Sequence, residues 1–156
     1  MIMDIVINAL CAFVGTLAFS ILFNVQRRYY VYCGLAGMLC WLCYYFMDDM
    51  VGASLATFIA TMLVVLCSRI FAVWRKCPIT VFLISGIFPV IPGAKVYYTA
   101  YYIVTNDLRQ ALDNGILALK LAFAIVLGIV FIVSIPRQYF SVEYWRERTR
   151  KKKVVS

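Results

Sequence analysis

Long apolar segments alternate with short polar ones along almost the whole chain. The apolar runs cover about residues 2–23, 29–47, 51–74, 79–104 and 115–135, and prolines and a glycine interrupt the fourth. A bilayer core about 30 Å thick needs roughly 20 apolar residues per helix, so each run is long enough to cross it. The pattern predicts an all-α polytopic membrane protein with about five transmembrane helices in residues 1–137 and a basic tail in 138–156.

The overall composition agrees with this prediction. The 156 residues are 65% hydrophobic, which is too apolar for a water-soluble domain with a polar surface. The first apolar run lacks the basic start and the small-residue cleavage site of a signal peptide, so we expect it to remain as a span.

The charged residues predict an orientation. Twelve basic residues fall on one side of a five-span topology: Arg27, Arg28, Arg69, Arg75, Lys76, Arg137, Arg146, Arg148, Arg150, Lys151, Lys152 and Lys153. The positive-inside rule makes that side cytoplasmic, with the N-terminus outside and the C-terminus inside. Five aspartates fall on the opposite side: Asp4, Asp48, Asp49, Asp107 and Asp113. The alternative is four spans, with the interrupted segment forming a re-entrant loop.

Several other function classes find little support. The net charge of +8 comes from loops, span ends and the tail, which indicates a membrane protein rather than nucleic-acid binding. We expect the tail either to anchor the topology or to contact anionic lipid. Cys40 and Cys43 form a C-x-x-C inside an apolar run, where packing is the favoured interpretation, and the chain has no histidine. We therefore predict no metal, no cofactor and no enzymatic activity.

The interrupted fourth run contains the candidate site. Pro89, Pro92 and Gly93 separate two helical pieces, residues 79–91 and 94–104, neither of which crosses a bilayer alone. We expect Gly93 to permit a backbone conformation that other residues resist. Opened backbone at that depth must be buried in protein or line a wet cavity. Broken helices of this kind form transporter sites, because the second half-helix presents free amides and a positive dipole end to an anion. A proline kink that only shapes packing is the alternative.

Polar residues near the break add weaker candidates. Lys95 either attracts a substrate carboxylate or reaches the membrane interface along its own stem. Tyr97 and Tyr98 either hydrogen-bond a polar substrate or belong, with the tyrosines that follow, to an interfacial aromatic belt. Arg69 either faces the pathway or is a positive-inside residue. Asp48 and Asp49 either couple protons or lie in a solvated outer loop.

A set of short motifs resembles a known family. The motifs are Phe23-Asn24-Val25, Thr57-Phe58-Ile59-Ala60, Ser68-Arg69, Pro78, and Pro89-x-x-Pro92-Gly93 followed by Tyr97. Over about residues 10–137 the chain resembles the small subunit of the threonine/serine exporter family. Gln26 stands where the family often has proline, and Lys95 is not part of the motif.

The resemblance implies an inner-membrane secondary transporter. Its expected substrates are small amino acids such as threonine and serine, or dicarboxylates such as succinate, exported with the membrane potential or the proton gradient. Because the chain resembles only the C-terminal half of the family, we expect a larger partner subunit that carries the N-terminal half. The resemblance assigns Pro89, Pro92, Gly93 and Tyr97 to the substrate site and adds Asn24 as a weak pathway candidate. A membrane scaffold or assembly protein and a passive channel remain as alternatives.

Overall fold

The structure, a computed structural model, describes residues 2–135 as a bundle of helices. The helices are α1 (Ile2–Leu22), α2 (Tyr30–Val51), α3 (Ala53–Arg75), α4 (Thr80–Gly86), α5 (Gly93–Val104) and α6 (Leu108–Val133), with 3-10 turns at Arg27–Tyr29 and Phe88–Val90. The all-α prediction is confirmed. The predicted lipid contact of the tail lies outside the described residues.

The predicted number of spans agrees with the helices. Within residues 2–135, α1, α2, α3 and α6 are each long and apolar enough to cross a membrane. The fifth candidate is the pair Thr80–Val90 and Gly93–Val104, which is bent by 51° at the predicted break. The fourth apolar run is therefore broken where the prolines predict it.

Two helix ends lie outside the predicted runs. Asp48 and Asp49 lie in the last turn of α2, where Asp49 is exposed, so the expectation of a loop at these positions was wrong. α6 begins at Leu108 rather than near residue 115, because Asp107 caps it: its carboxylate accepts from the Gln110 amide at 3.2 Å and from the Gln110 side chain at 3.0 Å. A hydropathy pattern marks the apolar part of a helix, whereas caps fix its ends.

Three helices end in the same way, on a non-glycine residue in the left-handed region. The residues are Asn24 after α1 (φ 53°), Lys76 after α3 (φ 50°) and Asn106 after α5 (φ 62°). In each case the next amide reaches back to a carbonyl inside the helix, as in the bond of 3.0 Å from Val25 N to Ser20 O. This is the Schellman arrangement, which turns the chain sharply and satisfies the last carbonyls.

Contacts between helices fix the direction of the broken span. Arg69 near the end of α3 bonds to carbonyls at the end of α6, and Thr61 lies against Gly128, so α3 and α6 run parallel. α5 and α6 form an antiparallel hairpin in which Thr99 lies against Gly115. The chain therefore passes across the break from one end of the bundle to the other.

We name these ends by their charges. The basic end carries Arg27, Arg28, Arg69, Arg75 and Lys76, and the acidic end carries Asp4, Asp48, Asp49, Asp107 and Asp113. Which end faces the cytoplasm stays a prediction.

Small residues allow the helices to pack closely. A side chain added at Gly37 would overlap Thr16 of α1, and one added at Gly128 would come within 2.9 Å of Thr61 of α3. Such contacts hold membrane helices together, since lipid offers no hydrophobic driving force. Cys40 is fully buried, and its thiol lies 3.6 Å from the Ala60 carbonyl, in agreement with a packing role.

Candidate functional site

The break consists of a short 3-10 turn followed by a tight backbone turn. α4 ends at Gly86, the turn Phe88–Val90 follows, and Ile91 is extended. Pro92 has φ −76° and ψ 47°, and the Gly93 amide donates to the Ile91 carbonyl at 2.7 Å, which is an inverse γ-turn. α5 then begins in a new direction. The two prolines thus redirect the span inside the bundle.

Gly93 serves a different purpose from the one expected. Its backbone does not need glycine's conformational freedom, because Gly52 is the single described glycine with a positive φ. Gly93 instead has open space around it, since an added Cβ would meet no atom within 4 Å. Gly93 and the following Ala94 are both exposed. The start of α5 is therefore accessible from outside this chain.

The N-terminus of α5 has no side-chain cap among the described residues. The first intrahelical bond runs from the Val96 amide to the Pro92 carbonyl at 3.1 Å. The amides of Ala94 and Lys95 precede that bond and point out of the helix start, where the helix dipole is positive. Lys95 is half-buried in the same turn. Amides, dipole and ammonium together favour a negatively charged group at this position.

The two faces of the break differ in their surroundings. Ser85, Gly86, Ile87 and Val90 are buried against the bundle. In contrast, no residue of α5 is buried. Tyr97, Tyr98 and Tyr101 are 63%, 46% and 50% exposed, and they stack along the helix in i,i+4 pairs that include Tyr102. The predicted tyrosines thus extend away from the break along an uncovered helix.

The weaker candidates do not gather at the break. Asn24 lies at the basic end, and Asp48 and Asp49 lie at the acidic end. Arg69 is 7% exposed and donates to the Ile135 carbonyl at 2.6 Å and to the Val133 carbonyl at 2.8 Å. Its guanidinium holds the end of α6, a role that sequence inspection missed because the partners are backbone atoms far along the chain.

Two cavities lie beside the broken span, one against the segment that follows α1 and one against α1 itself. We name the larger, about 580 Å³ at the basic end, the vestibule; its lining includes Asn24, Gln26, Arg28, Lys76, Thr80 and Ser85. We name the smaller, about 240 Å³, the outer cavity; its lining includes Asn8, Thr16, Phe19, Phe88 and Pro89. Of the predicted site residues, Asn24 lines the vestibule and Pro89 lines the outer cavity. Sequence inspection missed the others, since each is unremarkable in its own helix.

Comparison with known proteins identifies a family. The family model described as "Threonine/Serine exporter, ThrE" matches residues 8–135, which include α2 to α6 and most of α1. No curated protein and no solved structure matches the chain.

Proposed function

The chain belongs to the threonine/serine exporter family, and from this premise we propose that it is the small subunit of a two-component secondary transporter. The complex exports small carboxylate-bearing metabolites, threonine and serine or dicarboxylates such as succinate, across the inner membrane. The multi-pass helical fold and the family support a transporter rather than an enzyme.

The observation that carries the proposed site is the uncapped start of α5 beside open space. A substrate carboxylate there would accept hydrogen bonds from the amides of Ala94 and Lys95 and would gain the field of the helix dipole. The Lys95 ammonium would add a second favourable charge. Pro89, Pro92 and Gly93 keep this helix start separate from α4. The reaction is movement without covalent chemistry, as the two subunits alternate access to the site.

The uncovered face of α5 supports a partner subunit. Opened backbone inside a membrane must be covered by protein or meet water in a cavity, and this chain leaves Ile91, Gly93 and Ala94 exposed. Lys95 on α5 and the exposed Lys120 on α6 lie at similar levels of the hairpin, given the contact of Thr99 with Gly115. Two cations facing lipid would be costly, so a polar or acidic protein surface suits this face better. The larger family subunit is the partner we propose.

Substitution of Gly93 by leucine tests the site. The open space around Gly93 accepts the side chain without a clash within this chain, so Gly93→Leu should insert and fold yet lose export. Ala100→Leu adds similar bulk at an exposed position on the same helix and is the matched control. Efflux of threonine, serine and succinate is measured in cells that express the chain with and without the product of the neighbouring gene.

The expected results separate the competing functions. Export should require both chains, saturate with substrate, and collapse with the proton gradient. Normal export by Gly93→Leu, with both subunits co-purifying, would rule out the α5 start as the substrate site. Efflux that follows the substrate gradient alone would indicate a channel. Absence of efflux, both with and without the second chain, would indicate a scaffold.

A further inference from the structure

We infer that the substrate passes along the α1 side of the broken span, entering through the vestibule at the basic end, and that the contact between Phe19 and Phe88 closes this path toward the acidic end. The inference rests on the proposed export function. It adds a second binding region and a gate to that function, both outside the α5 start.

The vestibule has the size and charge of a site for small anions. Its volume of about 580 Å³ lies within the range of small-molecule sites, about 300–1,000 Å³. Arg28 and Lys76 line it together with the side-chain amides of Asn24 and Gln26. The described lining contains no carboxylate. A cleft with charges of one sign concentrates ligands of the other, so carboxylate-bearing metabolites should collect here.

The backbone at the mouth of the vestibule supports this assignment. Asn24 and Lys76 line the same cavity, and both hold left-handed backbone conformations, with φ 53° and 50°. Glycine usually occupies such positions at helix ends because side chains strain them. Asparagine tolerates the left-handed conformation, whereas for lysine this conformation is unfavourable. A strained lysine whose side chain lines a cavity points to a use for its ammonium group.

A buried hydroxyl group lies at the inner end of the vestibule. Ser85 lines this end and is fully buried, and its hydroxyl donates to the Val81 carbonyl at 3.4 Å. The Ser85 oxygen can still accept a hydrogen bond, so it offers a partner to a donor group of a substrate that moves inward from Lys76.

Phenylalanine rings separate the vestibule from the outer cavity. Phe19 of α1 and Phe88 of the 3-10 turn are in direct contact. Phe23, which lines the vestibule, has its ring centre 6.4 Å from that of Phe88. Beyond the rings, the lining of the outer cavity includes Asn8, Thr16 and Pro89. Because Phe88 belongs to the break itself, any change in the 51° bend moves this ring relative to Phe19. The break therefore connects the proposed binding site at the start of α5 to the proposed gate.

Leak through the complex of both subunits in lipid vesicles tests the gate. Phe88→Ala should join the two cavities and raise the leak of preloaded threonine about tenfold in the absence of a proton gradient. Phe123→Ala, which removes an exposed ring on α6, is the matched control and should not leak. Phe88→Leu keeps most of the apolar volume and should stay tight. A folded Phe88→Ala complex that leaks no more than the control would overturn the proposed gate. If the alanine variant unfolds, Phe88→Trp repeats the test, and it should slow export without causing a leak.

Substitution of Lys76 tests the vestibule. Lys76→Asn keeps a residue that tolerates the left-handed backbone and removes the charge, so it should fold normally and raise the KM for export about fivefold. Arg27→Gln removes one charge at the same end but outside the vestibule lining, and should leave KM unchanged. Equal KM values for the two variants would overturn the assignment of the vestibule as a substrate-binding region. If the unmodified complex exports nothing, the proposed function fails; if it exports while these variants behave normally, this inference alone fails.

Discussion

Replacement of Arg69 by alanine should destabilise the protein without changing its affinity for substrate. The guanidinium is 7% exposed and joins α3 to the end of α6 through the carbonyls of Ile135 and Val133, at 2.6 and 2.8 Å. The last carbonyls of a helix have no partners within it, so Arg69 supplies what the helix lacks. A cation at a helix C-terminus also favours the helix dipole.

The magnitude follows from these two bonds. Hydrogen bonds with one charged partner contribute about 1.5–3 kcal/mol each in soluble proteins. Bonds between membrane helices average about 0.6 kcal/mol, and water at the basic end would hydrate the freed carbonyls. We therefore expect Arg69→Ala to lower the free energy of unfolding by about 2 kcal/mol, between these limits. For a chain of this length that corresponds to a fall in Tm of roughly 4–8 °C.

Thermal unfolding of the purified two-subunit complex in detergent measures the effect. Arg69→Lys is the control. Because a single ammonium group cannot reproduce both hydrogen bonds of the planar guanidinium, this variant should recover about half of the lost stability. An unchanged Tm for Arg69→Ala would refute the capping role. If Arg69→Ala instead lowers the Tm and also raises the KM for export, the guanidinium contacts the substrate as well. Arg69 would then belong to the substrate pathway.

Two further predictions concern packing between helices. Among the described residues, the Thr61 hydroxyl is the buried side-chain group without a hydrogen-bond partner, so Thr61→Val should raise stability by about 1 kcal/mol. Thr57→Val, which loses a bond of 2.7 Å to the Ala53 carbonyl, should not be stabilising, and equal Tm shifts for the two would contradict the reasoning. Gly37→Ala should destabilise the α1–α2 contact by about 1–3 kcal/mol, because the methyl group overlaps Thr16. Gly15→Ala has space around it, so a similar loss of Tm there would contradict the assigned clash.

Local chemistry made the main features of the fold predictable. The apolar runs predicted the spans, because a continuous apolar helix satisfies both the lipid and its own backbone. Pro89 and Pro92 predicted the break, because proline removes amide donors wherever the chain folds. The family resemblance rested on short motifs that include these two prolines, and the match over residues 8–135 confirmed it. The early start of α6 escaped prediction, because a single capping residue, Asp107, determines it.

The candidate site was only partly predictable from the sequence. Its position at Pro89–Gly93 follows from composition, but the reason for Gly93 does not: the structure shows open space where conformational freedom was expected. The bond of Arg69 to α6, the meeting of Phe19 with Phe88, and the shared cavity of Asn24 and Lys76 join residues far apart in the chain. In a membrane helix the face toward lipid and the face toward protein are both apolar, so periodicity does not reveal which side chains meet. The sequence alone determined the spans and the break, and the packing of the helices decided what surrounds them.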